Sequence, residues 1–174
     1  MVRVREIAYE AADAQAKREW DAQVRTHGRM TNMKRTLAHS GPALSALMTW
    51  YPLRDAVRPF LGDRLTTIFA HAVSSESDCL ICSTFFRRIL KESGDDPDDL
   101  KLSEAEADVV AFGRCVARER NRVPPPLFAK LRGRYTDRQL VELTAFAGLM
   151  LATNVINNSL EIPLDDYLEP YKKT

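Results

Sequence analysis

Several kinds of residue and pattern are scarce in this chain of 174 residues, and each scarcity excludes a class of function. There are three histidines, His27, His39 and His71, and they are scattered. A single C-x-x-C pair, Cys79 and Cys82, has no second pair and no H-x-x-x-H to complete four ligands, so no metal site is expected. The seven glycines form no phosphate loop and no dinucleotide fingerprint, and no cofactor is expected. Neither sign of charge dominates: 25 basic residues face 24 acidic ones, for a net charge of +1. No global basic field therefore points to nucleic acid. The longest apolar run, "ELTAFAGLMLA", falls far short of the roughly 20 residues of a membrane span, so no membrane is expected. The N-terminal "VRVREIAYEAADAQAKREW" carries charges throughout and no apolar signal core. These features predict a cytoplasmic protein. In that reducing compartment a close cysteine pair more often serves redox or metal chemistry than a structural staple.

What is present is mostly helical signal. "DAQAKREWDAQVRTHG" is rich in good helix formers and stops at Gly28. Ser40 is a candidate N-cap with Pro42 in the first turn. Leu65, Ile68, Phe69, Ala72 and Val73 recur at helical spacing and predict one buried face. Ser103 with Glu106, and Thr136 with Gln139, have the spacing of capping boxes. The second box opens a helix that is apolar nearly all round from Leu143 to Ala152, which suits the centre of a fold or a subunit contact. "ESGDDPDDLKL" reads as an exposed acidic turn, and Pro124 to Pro126 as a rigid connector. The basic run from Arg120 to Arg134 reads as solvated surface. The sum is an all-α single domain, residues 1–174, of about seven or eight helices.

The stretch "SESDCLICSTFFRR" carries the chemistry. With Asp78 as N-cap, Cys79 falls in the first turn of a helix and Cys82 one turn on, on the same face. A helix N-terminus favours a thiolate, and two residues three apart are close enough to form a disulfide. One thiolate can attack a substrate and the other can resolve the product. The alternative is two small apolar residues packed in a helical core, and Cys115 reads as core by default. Asp78 opposes a thiolate at Cys79. Leu80, Ile81, Phe85 and Phe86 surround the pair and suit an apolar substrate. Arg87 and Arg88 read as a solvated helix face. Asn154, Asn157 and Asn158 share a face of the last helix and read as structural.

"FAHAVSSESDCLICSTFF", "YTDRQLVELTAFAGLMLATNVINNSLEIPLDD" and "GRMTNMKRTLAHSGPALSALMTWY" together resemble the carboxymuconolactone decarboxylase family, and within it the AhpD-like alkylhydroperoxidase branch. The resemblance covers roughly residues 3–168. It implies an all-helical domain that assembles into homo-oligomers (dimer, trimer or hexamer), with the C-x-x-C near a subunit interface. It implies a thiol oxidoreductase that reduces a small peroxide or disulfide and is recharged by an external thiol donor. By the same resemblance Cys82 attacks and Cys79 resolves, whereas the helix dipole favours Cys79 as the nucleophile. The peroxidase pattern has a Glu twelve residues before the first cysteine and a His four after the second. Here those positions hold Thr67 and Phe86, so both ends of the proton relay are missing. His71 or Glu76 are the candidate substitutes. Two rivals remain: a lyase on a small cyclic carboxylate, for which no Arg/His cluster is visible, and a non-enzymatic oligomer that kept the fold.

Overall fold

The computed structural model describes residues 2–118 and 121–173. Among the described residues there are eight α-helices and two short 3-10 segments, with no strand. The helices are α1 (Ala14–His27), α2 (Asn32–Leu37), α3 (Gly41–Met48), α4 (Trp50–Glu76), α5 (Leu80–Glu92), α6 (Glu104–Ala117), α7 (Pro125–Arg132) and α8 (Asp137–Ser159). The 3-10 segments are Tyr9–Ala11 and Asp166–Tyr171.

Local signals explain most boundaries. Asp13 caps α1 through the Ala16 N–H, and Gly28 ends it in the left-handed region. Ser40 accepts from the Ala43 N–H. Both capping boxes form, at Ser103/Glu106 and at Thr136/Gln139. Other boundaries differ from the sequence reading. Pro125 and Pro126 open α7 instead of merely connecting, because the first turn of a helix does not need their missing N–H groups. The helix opened by Ser103 ends at Ala117; Glu119, and Arg120 at which the expected basic run starts, lie outside the described residues. Farther along that run, Lys130 and Arg134 pair with Asp108. α4 is two helical pieces meeting at Gly62, whose φ of 78° and ψ of 164° are open only to glycine.

α4 and α8 form the centre, with α5 and α6 packed against α4. The predicted face of α4 is buried, Phe69 and Val73 completely. Phe69 stacks between Phe112 of α6 and Phe146 of α8, with centroids 6.4 and 6.1 Å away. Gly113 lets α6 approach this closely: a Cβ there would sit 2.8 Å from the Phe69 ring. α8 is long and apolar enough to cross a membrane by length and composition. Here it packs its Leu143, Phe146, Ala147 and Met150 side into the core, while Val141 and Val155 are exposed. A smaller second cluster joins α1, α2 and α3 around Ala16, Leu37 and Leu44.

Candidate active site

The turn between α4 and α5 places the two cysteines. Asp78 is not an N-cap. It sits at φ 48°, in the left-handed position that ends α4. The Cys79 N–H bonds to the Ser74 carbonyl at 3.0 Å, and the Asp78 N–H bonds to the Ser75 carbonyl at 3.2 Å. This is the Schellman pattern, usually closed by glycine, and aspartate is among the few other residues that tolerate its conformation. Cys79 is therefore both the residue after the turn and the N-cap of α5, with Cys82 three residues on. The Cys79 side chain makes no conventional cap bond. Even so, the backbone N–H groups of Cys82 and Ile81 favour charge on its sulfur.

Both thiols are free and buried. The Asn157 side-chain amide, from α8, donates to Cys82 Sγ at 3.2 Å and reaches Cys79 Sγ at 3.6 Å. Asn154 and Asn158 hold the turn instead, through the Ser77 hydroxyl at 2.6 Å and the Ser77 carbonyl at 3.0 Å. Of the three asparagines read as structural, Asn157 thus touches both sulfurs. Its own Oδ1 is buried without a partner among the described residues.

The two thiols share a proton unequally. Cys79 is lowered to about 7, first by the hydrogen bond from Cys82, then by the Cys82 N–H, the Asn157 amide and the Ile81 N–H. Cys82 is pushed up by being that donor and by burial. Access runs the other way. Cys79 is fully buried, whereas Cys82 forms part of a cavity wall. The Cys82 thiol favours charge on Cys79, and a proton passed from Cys82 to Cys79 would put the thiolate on the sulfur that faces the cavity. Asn157 stays in place to support it there.

The cavity beside Cys82 has a volume of about 110 Å³ and is lined mainly by Met33, Met48, Trp50, Phe85, Phe86 and Met150. Lys34 and Tyr51 are the polar exceptions of interest. Lys34 is 5% exposed, and its ammonium donates to the Gln23 side-chain oxygen at 2.7 Å and to the Tyr51 hydroxyl at 2.9 Å. Burial lowers it to about 8 and pushes Tyr51 up to about 12. The Tyr51 ring stacks on His27 at 3.9 Å. A wider cavity of about 460 Å³ shares Lys34, Trp50, Tyr51 and Phe86 with the first, and Arg29, Arg54, Arg58 and Arg88 line it. A cationic cluster that the sequence did not display therefore lies beside the dithiol pocket.

The other candidates are dispersed. Thr67 lines the wider cavity, but its hydroxyl donates to the Asp63 carbonyl at 2.9 Å. Phe86 packs on Trp50 and Phe85. His71 lines neither cavity. Burial lowers it to about 4, with a further push from Arg87, so it is neutral near pH 7. Glu76 is paired with Arg118. Arg87 is not on a solvated face: it is buried and holds Asp98 through its two terminal guanidinium nitrogens. Cys115 is only partly buried instead of core. Lys34, Tyr51 and Gln23 carry no sequence signal, because they come from three helices and read locally as surface residues.

No protein-family model matches the chain, and no curated protein sequence matches it. Solved structures do. One is the apo form of the debrominase Bmp8, with a TM-score of 0.79 at 16% identity, covering 97% of this chain and 95% of that one. Another is a cysteine-to-alanine variant of Bmp8 in complex with 2,3,4-tribromopyrrole, with a TM-score of 0.79 at 15% identity, covering 98% and 95%. A third is an alkylhydroperoxidase AhpD core, an uncharacterized peroxidase-related protein from Ralstonia eutropha JMP134, with a TM-score of 0.73 at 18% identity, covering 95% and 93%. The chain has the AhpD-like all-α fold.

Proposed function

We propose that the protein is a dithiol oxidoreductase that reduces a small, largely apolar peroxide or disulfide. The observation that carries this reading is the arrangement of the pair: Cys82 in the wall of an apolar cavity, Cys79 buried behind it, and Asn157 bonded to both. With a hydroperoxide, the Cys82 thiolate attacks the distal oxygen. An S–O bond forms, the O–O bond breaks, and the alkoxide takes a proton to leave as the alcohol. The Cys79 thiol then displaces water from the Cys82 sulfenic acid and forms the disulfide. An external dithiol restores both thiols. Assembly into a homo-oligomer belongs to the same proposal, and light scattering on the purified chain tests it.

The decisive experiment is mass spectrometry on the reduced protein before and after an organic hydroperoxide, with Cys79→Ser and Cys82→Ser as controls. Rapid loss of two hydrogens, mapped to Cys79–Cys82 and reversed by a dithiol, is the expected result. Thiols that oxidise no faster than free cysteine sink the reading.

A second reading follows from the aromatic and methionine lining together with the likeness to a debrominase. In it the same two thiols supply the electrons for removing halogen from a small halogenated aromatic. Bromide release from 2,3,4-tribromopyrrole, with Cys79–Cys82 oxidised in equal amount, is its readout.

A further inference from the structure

The reaction proposed above needs a proton that the relay positions do not provide. Phe86 has none, the Thr67 hydroxyl is committed to the Asp63 carbonyl, and His71 lines neither cavity. We propose that Tyr51, backed by Lys34, is the catalytic acid that protonates the departing alkoxide when Cys82 attacks a hydroperoxide. This rests on the dithiol reading and adds to it the atom that completes the chemistry.

Three features of the geometry carry it. First, Tyr51 and Lys34 line the same cavity as Cys82. Second, the Tyr51 oxygen accepts from Lys34 Nζ at 2.9 Å, and among the described residues no protein acceptor takes the Tyr51 proton. That proton is available to a molecule in the cavity. Third, the Lys34 ammonium is buried with neutral hydrogen-bond partners, Gln23 and Tyr51. Its facing carboxylate, Asp165, is instead bonded to the Asn32 N–H at 3.0 Å. A buried cation held this way costs stability, and an apolar side chain of similar size would fill the space at less cost.

The step balances. The Cys82 thiolate gains the distal oxygen as the O–O bond breaks. The alkoxide takes the Tyr51 proton, and Lys34 passes one of its own to the tyrosinate across the existing bond. Lys34 is left as a neutral amine and is reprotonated from solvent through the wider cavity, which it and Tyr51 also line. Tyr51 touches the reacting oxygen; Lys34 acts through it as a positioning and proton-supplying residue.

The charged and titratable groups around Lys34 are His27 from α1, Tyr51 and Arg54 from α4, and Asp165 and Tyr167 from the C-terminal segment. Burial disfavours the ammonium, and Asp165 favours it. With Lys34 at about 8, oxidation by an alkyl hydroperoxide falls as pH rises through that value.

The test uses the full, reduced chain and two oxidants that differ in their leaving group. Cumene hydroperoxide expels an alkoxide and needs the acid. Peracetic acid expels acetate and does not. Single-turnover oxidation of Cys79–Cys82 is followed for the wild type and for Tyr51→Phe, which keeps the ring on His27. Tyr51→Phe is expected to slow cumene hydroperoxide about 10²-fold while changing peracetic acid only slightly. Equal rates in variant and wild type, or equal slowing with both oxidants, overturn the proposal and leave the dithiol reading intact. A wild type no faster than free cysteine with both oxidants overturns the dithiol reading and this proposal with it. If Tyr51→Phe does not fold, Lys34→Arg decides. It keeps the charge but does not deprotonate in the range, so the fall of the cumene hydroperoxide rate near pH 8 should disappear. A fall that stays where it was overturns the proposal.

Discussion

The aromatic core and the dithiol pocket adjoin along one chain of rings, yet they follow opposite rules. In the core, Phe69, Phe112 and Phe146 stack in near-parallel pairs, Gly113 is trimmed to admit the Phe69 ring, and the helices that carry Phe112 and Phe146 start with complete capping boxes. Around the pocket, Asp78 sits in a left-handed turn, and among the described residues Lys34 is buried without a bonded carboxylate and the oxygens of Asn154 and Asn157 are buried without partners. Trp50 joins the two, 5.7 Å from Phe146 and 6.1 Å from Phe86. The contrast shows where stability is stored and where some of it is given up to bury polar groups beside a cavity.

The comparison breaks most completely at the sulfur. Cys82→Ser is expected to abolish peroxide consumption while leaving the thermal melt within a few degrees of wild type, since a similar volume is kept. Cys79→Ser should stop at a sulfenic acid on Cys82, visible as a mass gain of one oxygen or by a dimedone adduct. Phe69→Ala is the mirror experiment. Removing that ring from between Phe112 and Phe146 should cost about 3–5 kcal/mol in chemical denaturation. Protein that remains folded should still form its disulfide.

Lys34→Met sharpens the comparison through pH. Lys34 titrates near 8 when folded and near 10.5 when unfolded. Between those values the unfolded chain binds more protons, so wild-type stability gains from this group as pH rises. The contribution is at most about 1.4 kcal/mol per pH unit, and Lys34→Met should remove it. Denaturation at pH 8 and pH 10 for both proteins checks the difference in slope; equal slopes would show that Lys34 is not the titrating group. Ser103→Ala should cost about 1 kcal/mol by breaking one capping box, with no effect on thiol chemistry. Asn157→Ala should have the smallest effect on folding and should raise the pH at which the thiol pair reacts with an alkylating probe, because its amide favours the charged sulfurs.

The stops, caps and stripes of the fold were legible in the sequence because they act within one turn of helix. Gly28, Ser40, Ser103 with Glu106, and Thr136 with Gln139 all do in the structure what their local spacing predicts. Asp78 misled for an instructive reason. Aspartate suits both a helix start and a left-handed helix end, and the choice was made by the Ser74 and Ser75 carbonyls of the preceding helix. Of the site, the cysteines were legible because their spacing is itself a local constraint. Asn157 was visible as one of a polar trio, but not as the member that reaches the sulfurs.

By itself, then, the sequence determined the helical class, most helix ends and the adjacency of Cys79 and Cys82, all consequences of interactions between residues a few positions apart. The tertiary structure alone decided which sulfur faces a cavity, that Arg87 is buried on Asp98, and that Lys34, Gln23 and Tyr51 meet beside the dithiol. Those three residues lie on α2, α1 and α4, and each has the profile of a surface residue on its own helix. Only the packing of the helices withdraws water from all of them together, and that withdrawal lowers the lysine to about 8 and pushes the tyrosine up to about 12.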